Sequence, residues 1–166
     1  KGRYATDASI YQMMPLGVLI PKTKSDLIET INYARETKVP LLARGGGTSQ
    51  CGQTVNNAIV IDNSKYLNKV LDFNKEKMTC IVEPGIVLDE LNRFLKPYGL
   101  WFPVDVSTSS RATIGGMAGN NSCGGRSIRY GMMRDNVIDI EAILYDGSIY
   151  NFGKIKSNHI NSSKSS

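Results

Sequence analysis

The run Leu41-Leu42-Ala43-Arg44-Gly45-Gly46-Gly47-Thr48-Ser49-Gln50-Cys51-Gly52-Gln53 holds the residue types best suited to gripping an anion. A short apolar stretch ends at Arg44, and glycines and hydroxyls follow. Consecutive glycines can take positive φ and turn their N–H groups into one concavity, a nest that binds phosphate. Thr48 and Ser49 would add hydroxyl donors, so the run reads as a diphosphate cradle. A flexible turn has a similar composition. Two common nucleotide loops do not fit. A P-loop ends in Gly-Lys-Ser/Thr, and here Gly47 is followed by Thr48. The dinucleotide fingerprint needs glycine where this chain has Gln50.

A second glycine-rich stretch is Thr113-Ile114-Gly115-Gly116-Met117-Ala118-Gly119-Asn120-Asn121-Ser122-Cys123-Gly124-Gly125. Linkers can have this composition. A linker seldom carries Ile114 and Met117, or opens from Trp101-Phe102-Pro103. The better reading is a backbone-rich surface for a large planar ligand, with Asn120, Asn121 and Ser122 bonding its polar edges.

Other chemistries find little support. The chain has 166 residues, 41% of them hydrophobic, and a net charge of +5, which suits a phosphate-bearing ligand. Its basic residues are scattered without an aromatic–basic stripe, against nucleic acid. Cys51, Cys80 and Cys123 form no Cys-x-x-Cys pair, so no zinc or iron–sulfur site is expected within the chain. Their odd number favours a reducing cytosol. The single histidine, His159, lies in a polar tail, which leaves a Ser-His-Asp triad without a base. No apolar run approaches the ~20 residues of a membrane helix. The start at Lys1, without Met or an apolar signal, suggests a trimmed or partial chain.

The elements that must position these segments follow from periodicity. Leu16 to Ile20 reads as a short buried strand closed by Pro21. Thr23 and Asp26 stand in capping-box positions, and Leu27, Ile28, Ile31 and Ala34 form one helical face that fades near Lys38. Val39 to Ala43 and Ala58 to Asp62 are strands, giving a βαβ-like opening that favours parallel pairing. Tyr66 to Phe73 and Met78 to Glu83 read as two strands joined by a polar turn. Leu88, Leu91 and Leu95 recur at helical spacing, with Pro97 and Gly99 as stops. Val137 to Leu144 and Ser148 to Phe152 read as strands about Asp146-Gly147. Tyr4 to Gln12 reads as irregular, and the chain after Gly153 as disordered.

Together these segments resemble the FAD-binding domain of the vanillyl-alcohol-oxidase and para-cresol-methylhydroxylase type, most of all its glycolate oxidase and D-lactate dehydrogenase group. The resemblance covers about Tyr4 to Gly153. Its marks are Tyr4-Ala5-Thr6-Asp7-Ala8-Ser9, Pro40 through Gly52, Glu83-Pro84-Gly85, Thr113-Ile114-Gly115-Gly116, Asn120-Asn121-Ser122-Cys123-Gly124, Tyr130-Gly131 and Asp135-Asn136-Val137.

The resemblance implies an α+β fold: a small parallel β-α lobe (about 1–65), an antiparallel β lobe (about 66–153), and FAD between them. It implies that Arg44, Gly45, Gly46, Gly47, Thr48, Ser49 and Gly52 wrap the FAD diphosphate. Pro84 and Gly85 would shape the adenine side. Pro103, Asp105, Thr113, Gly115, Gly116 and Asn120, with Ser122 beside them, would line the ribityl chain and isoalloxazine. Val137 would close over the adenosine. The implied function is the FAD-binding portion of an oxidoreductase that oxidises a D-2-hydroxyacid such as D-lactate or glycolate. An electron-acceptor or iron–sulfur partner is implied, and a cytoplasmic location, with any inner-membrane attachment through partners. The alternative is a stand-alone flavin-binding subunit that needs a partner chain for turnover; a truncated product is a third. Some members of that family tether flavin through histidine or cysteine. Here Thr48 and Ser49 occupy the loop, so FAD is expected to be non-covalent. Catalytic residues and a metal site are not assigned. Two separate glycine segments suit a long ligand with a diphosphate, so titration should show tighter binding of FAD than of FMN; equal affinities would contradict the cradle.

Overall fold

The computed structural model describes residues 2–153; the tail at 154–166, with His159, lies outside the described residues. Three short strands, β1 (Gly17–Leu19), β2 (Leu41–Arg44) and β3 (Ile59–Asp62), form a parallel sheet in the order β1-β3-β2. Gly17 and Leu41 both stand opposite Ile59, and Arg44 stands opposite Asp62. The central strand is flanked on both sides, which is why Val60 and Ile61 are buried. The parallel arrangement brings the ends of all three strands to one edge, and the first glycine loop leaves from it.

Helix α1 (Lys24–Thr37) makes the crossover from β1 to β2. Its start is the capping box expected from the sequence. The Thr23 hydroxyl accepts from the Asp26 amide at 3.2 Å, and the Asp26 carboxylate accepts from the Thr23 and Lys22 amides at 3.0 and 2.7 Å. Those backbone hydrogen bonds hold the Asp26 pKa below its ordinary value. The helix ends at Lys38, whose φ of 55° is left-handed, and Ile31 and Ala34 are its buried residues.

The middle of the chain is a hairpin and a helix. Strands β4 (Val70–Asn74) and β5 (Thr79–Val82) pair antiparallel, and α2 (Leu88–Leu95) buries Leu88, Leu91 and Leu95. Leu91, Leu95 and Ile86 pack with Val70, Phe73, Cys80 and Val82, while Leu88 joins Val104, Ala112, Met117 and Met133 in a second cluster. Phe102 and Ile114 touch both clusters, so α2 is held on two sides.

The glycine- and serine-rich stretch is more ordered than its composition suggested. It contains α3 (Ile114–Gly119), and α4 (Ser127–Tyr130) and α5 (Met133–Asn136) follow it. Burial of Met117 in the Leu88 cluster supplies what glycine propensity withholds in α3. The last two strands, β6 (Asp139–Ile143) and β7 (Ile149–Gly153), pair antiparallel, turning at Gly147 with φ of 84°. The antiparallel part is therefore two separate hairpins rather than one sheet. The β6–β7 hairpin reaches α1: Lys24 Nζ pairs with Glu141 at 2.6 Å, and the Arg35 guanidinium donates to the Asp146 carbonyl. Among the described residues no helix is long and apolar enough to cross a membrane.

Two changes at the ends of α1 should have opposite signs. Thr23→Ala removes the cap and should cost about 1 kcal/mol. Lys38→Gly relieves a left-handed conformation and should stabilise by up to about 1 kcal/mol. Urea midpoints check both; equal signs would contradict this account of the termini.

Candidate cofactor-binding site

The first glycine loop departs from β2 and is gripped from two sides. On one side lies an N-terminal arm. Arg44 does not reach outward: its guanidinium donates to the carbonyls of Thr54 (3.0 Å) and Thr6 (2.9 Å) and lies over the Tyr4 ring at 5.4 Å. The Ala8 amide donates to the Gly47 carbonyl at 3.1 Å. Tyr4 donates to Asp62 Oδ2 at 2.8 Å, and burial together with that bond raises its pKa. Burial also acts to raise the Asp7 carboxyl, but hydrogen bonds from Ser9 and Thr54 outweigh it and leave the pKa lowered.

On the other side lies the second glycine segment, and the reason for the glycines becomes plain. An added Cβ at Gly45 would fall on the Thr113 hydroxyl, and one at Gly46 on the Arg111 carbonyl. Neither glycine has positive φ; in this loop only Gly47 (67°) and Gly52 (70°) do. The expected nest of consecutive left-handed glycines is thus corrected. Close packing against the Thr113 side chain at Gly45 and the Arg111 backbone at Gly46, more than chirality, excludes side chains there. At Gly47 both reasons apply, since a Cβ would also meet the Arg44 guanidinium at 2.5 Å.

The structure places the other residues named from the sequence as follows. Thr113 is buried and caps α3, accepting from the Gly116 amide at 3.4 Å. Gly115 donates to the Pro84 carbonyl at 2.8 Å, and a Cβ there would sit 2.6 Å from Pro84 Cβ. Gly85 donates to the Leu67 carbonyl at 2.7 Å and has no room for a side chain beside the Asn63 carbonyl. Asn120 Oδ1 accepts from Gln53 at 3.3 Å and its amide donates to the Ser122 hydroxyl at 3.4 Å, a polar stitch between the two glycine segments. Ser49 donates to Gln53 at 2.8 Å. Asp105 accepts from the Arg126 amide at 3.0 Å and pairs with its Nε at 3.6 Å, and Pro103 is half-buried. Val137 packs on the Leu88–Met133 cluster.

Two features mark the seam as a place for a ligand. Among the described residues, no backbone amide from Gly45 to Gln50 donates to a protein acceptor. Gly45, Gly47, Thr48 and Ser49 are only half exposed, so these are donors gathered where protein crowds them. Next to them, Asn63 Oδ1 is buried without a partner, while the Asn63 amide donates to the Arg44 carbonyl at 3.1 Å. A row of unpaired donors suits a diphosphate, and an unpaired acceptor suits an amine or hydroxyl donor. The residues present therefore fit a dinucleotide. The first turn of α3 adds no anion site, because the Ile114 and Gly115 amides serve Ile86 and Pro84. Asn63, Gln53 and the Arg111 carbonyl were not singled out from the sequence, and no local spacing distinguishes them.

The chain belongs to the FAD-binding domain family, whose profile matches residues 15–153. It is 38% identical to D-2-hydroxyglutarate dehydrogenase of Haemophilus influenzae over 156 residues, covering 92% of this chain and 15% of the relative. It is 35% identical to glycolate oxidase subunit GlcD of Bacillus subtilis, covering 90% of this chain and 32% of the relative. A mitochondrial cytochrome D-lactate dehydrogenase of Arabidopsis thaliana is 38% identical over 82% of this chain and 24% of the relative. The chain thus spans a minor part of the length of these relatives. Two crystal structures of alkyldihydroxyacetonephosphate synthase share the fold at 23% identity, with TM-scores of 0.72 and 0.73 over 86% of this chain.

The seam itself generates a prediction. Gly46→Val should lower stability by about 1–3 kcal/mol even with no flavin added, because the new side chain must displace the Arg111 backbone. Gly119→Ala, whose Cβ meets nothing within 4 Å, should not destabilise. Denaturant midpoints of the flavin-stripped chain test this; an unchanged Gly46→Val midpoint would remove the close-approach argument.

Proposed function

We propose that the chain binds FAD non-covalently, with the diphosphate on the amides of Gly45 to Gln50, as the flavin-binding portion of a 2-hydroxyacid dehydrogenase. The observation that carries this is the row of crowded amides without protein acceptors. Arg44 holds the loop's shape through Thr6 and Thr54. Gly46, Gly52 and the hydroxyls of Thr48 and Ser49 complete the diphosphate side. Pro84 and Gly85, with Asn63 behind them, border the adenine side. Pro103, Asp105, Thr113, Gly115, Gly116, Asn120 and Ser122 border the flavin side, and Val137 supports the adenosine end. Bound flavin supplies a hydride acceptor. The substrate class is a D-2-hydroxyacid, in keeping with the names of the relatives at 35–38% identity.

Non-covalent binding follows from the chemistry available. The sole histidine is His159, and the exposed thiols are Cys51 and Cys123. Oxidising a hydroxyacid also needs a base for the hydroxyl proton. No histidine stands among the described residues to serve as one. A further protein segment or partner chain would supply the base, and an electron acceptor would close the cycle. One relative is itself named a subunit, which supports the partner reading. The exposed apolar residues Ile140, Ile149, Tyr150 and Phe152 on the last hairpin also suit a covering surface.

Acid precipitation of the flavin-loaded chain should release the yellow colour into the supernatant. A yellow pellet, lost in Cys123→Ser, would overturn non-covalent binding. The same chain should melt at a higher temperature with FAD, by about 2.7 kcal/mol at a hundredfold its Kd. It should reduce no dye with D-lactate, glycolate or D-2-hydroxyglutarate. Substrate-dependent dye reduction by the 166-residue chain would place the base within it.

A further inference from the structure

Beside the flavin cradle, α4 and the residues before it form a pocket of about 330 Å³ lined by Gly125, Arg126, Ile128, Arg129 and Tyr130. That volume falls at the small end of the range for small-molecule sites. Its walls are organised by stacking. Arg126 lies over the Trp101 ring at 5.0 Å, Trp101 meets Tyr130 edge-on at 5.3 Å, and Arg129 lies over Tyr130 at 5.3 Å. The two guanidiniums are thereby held at the pocket by aromatic rings.

The charges are unequal. Arg126 is partly offset by Asp105 at 3.6 Å. Arg129 forms no ion pair among the described residues. One guanidinium is thus left to attract an oxyanion, and its planar fork matches a carboxylate. The rest of the lining is not polar. Ile128 is fully exposed, and Tyr130 and Gly125 present a ring face and backbone. An inorganic anion would use the guanidinium and leave that surface unmatched. An organic acid with a short hydrocarbon body would use both.

We propose that the pocket between Arg126, Ile128, Arg129 and Tyr130 binds the carboxylate end of a small organic acid. The choice of carboxylate over other oxyanions rests on the function proposed above. In the function proposed above Asp105 borders the flavin, and Arg126 is bonded to Asp105, so the pocket would open beside it. It would be a subsite for substrate or product, distinct from the diphosphate loop.

Trp101 is the only tryptophan, so its emission reports on this pocket alone. Titration of the 166-residue chain with glutarate at fixed ionic strength should change that emission saturably. Inorganic phosphate and chloride should not do so. Arg129→Gln should weaken glutarate at least tenfold. Ile128→Glu, at a fully exposed position that leaves the core untouched, should do the same by placing a carboxylate at the mouth. Arg93→Gln, on α2 and paired with Glu90, should titrate like the parent. No saturable change, an equal response to phosphate, or unaltered binding in both Arg129→Gln and Ile128→Glu would overturn the proposal. FAD binding, read separately by flavin fluorescence, tells the two ideas apart: lost flavin binding with intact glutarate binding sinks the cradle, and the reverse sinks this pocket.

Discussion

Close packing against glycines, where no side chain has room, is the constraint on which this structure depends. Gly45 and Gly46 lie against Arg111 and Thr113, and Gly115 lies against Pro84. Three stretches far apart in the chain are thereby fused at one seam. The sheet end, the Pro84-Gly85 turn and the α3 segment cannot move apart without losing these contacts, nor accept a Cβ without being pushed apart. Interiors packed to this density convert one added atom into a backbone shift. The seam is also where amides lack protein acceptors, so the feature that joins the two glycine segments is the one that presents donors to a ligand.

Much of the fold was legible in local chemistry. The capping box of Thr23 and Asp26, the Leu88–Leu91–Leu95 spacing and the Asp146-Gly147 turn each produced the element expected. Those signals act within a few residues of one another. The parallel sheet followed from strand, helix and strand in succession. The α3 helix was not legible, because glycine is a poor helix former and the override comes from Met117 reaching a core built by other segments; α4 and α5, four residues each, are too short to show a helical period. The antiparallel part was expected as one sheet and is two hairpins, since strand spacing says nothing about which strands share a ladder.

The glycine loop was legible as a segment that needs its glycines, but partly for the wrong reason. Positive φ was expected for consecutive glycines, and Gly45 and Gly46 do not have it. Their requirement comes from neighbours 65 and 68 positions away in the chain, which composition cannot reveal. Arg44 was expected to wrap a diphosphate, while its guanidinium is engaged by Thr6, Thr54 and Tyr4. The two roles are compatible if the side chain fixes the loop whose amides do the gripping. Asn63 and Gln53 carry no pattern of their own and gain meaning only from the burial and contacts around them.

The N-terminal arm has a consequence for synthesis. Tyr4, Thr6 and Asp7 bond to Asp62, Arg44 and Thr54, at chain separations of 58, 38 and 47 residues. The arm leaves the ribosome before β3, so its partners do not exist as a surface until β3 has been made and paired. Closing loops of that length costs entropy before any contact repays it. The arm, made before the strands it binds, thus finds its place only after them, and until it does, the glycine loop has only one of its two walls.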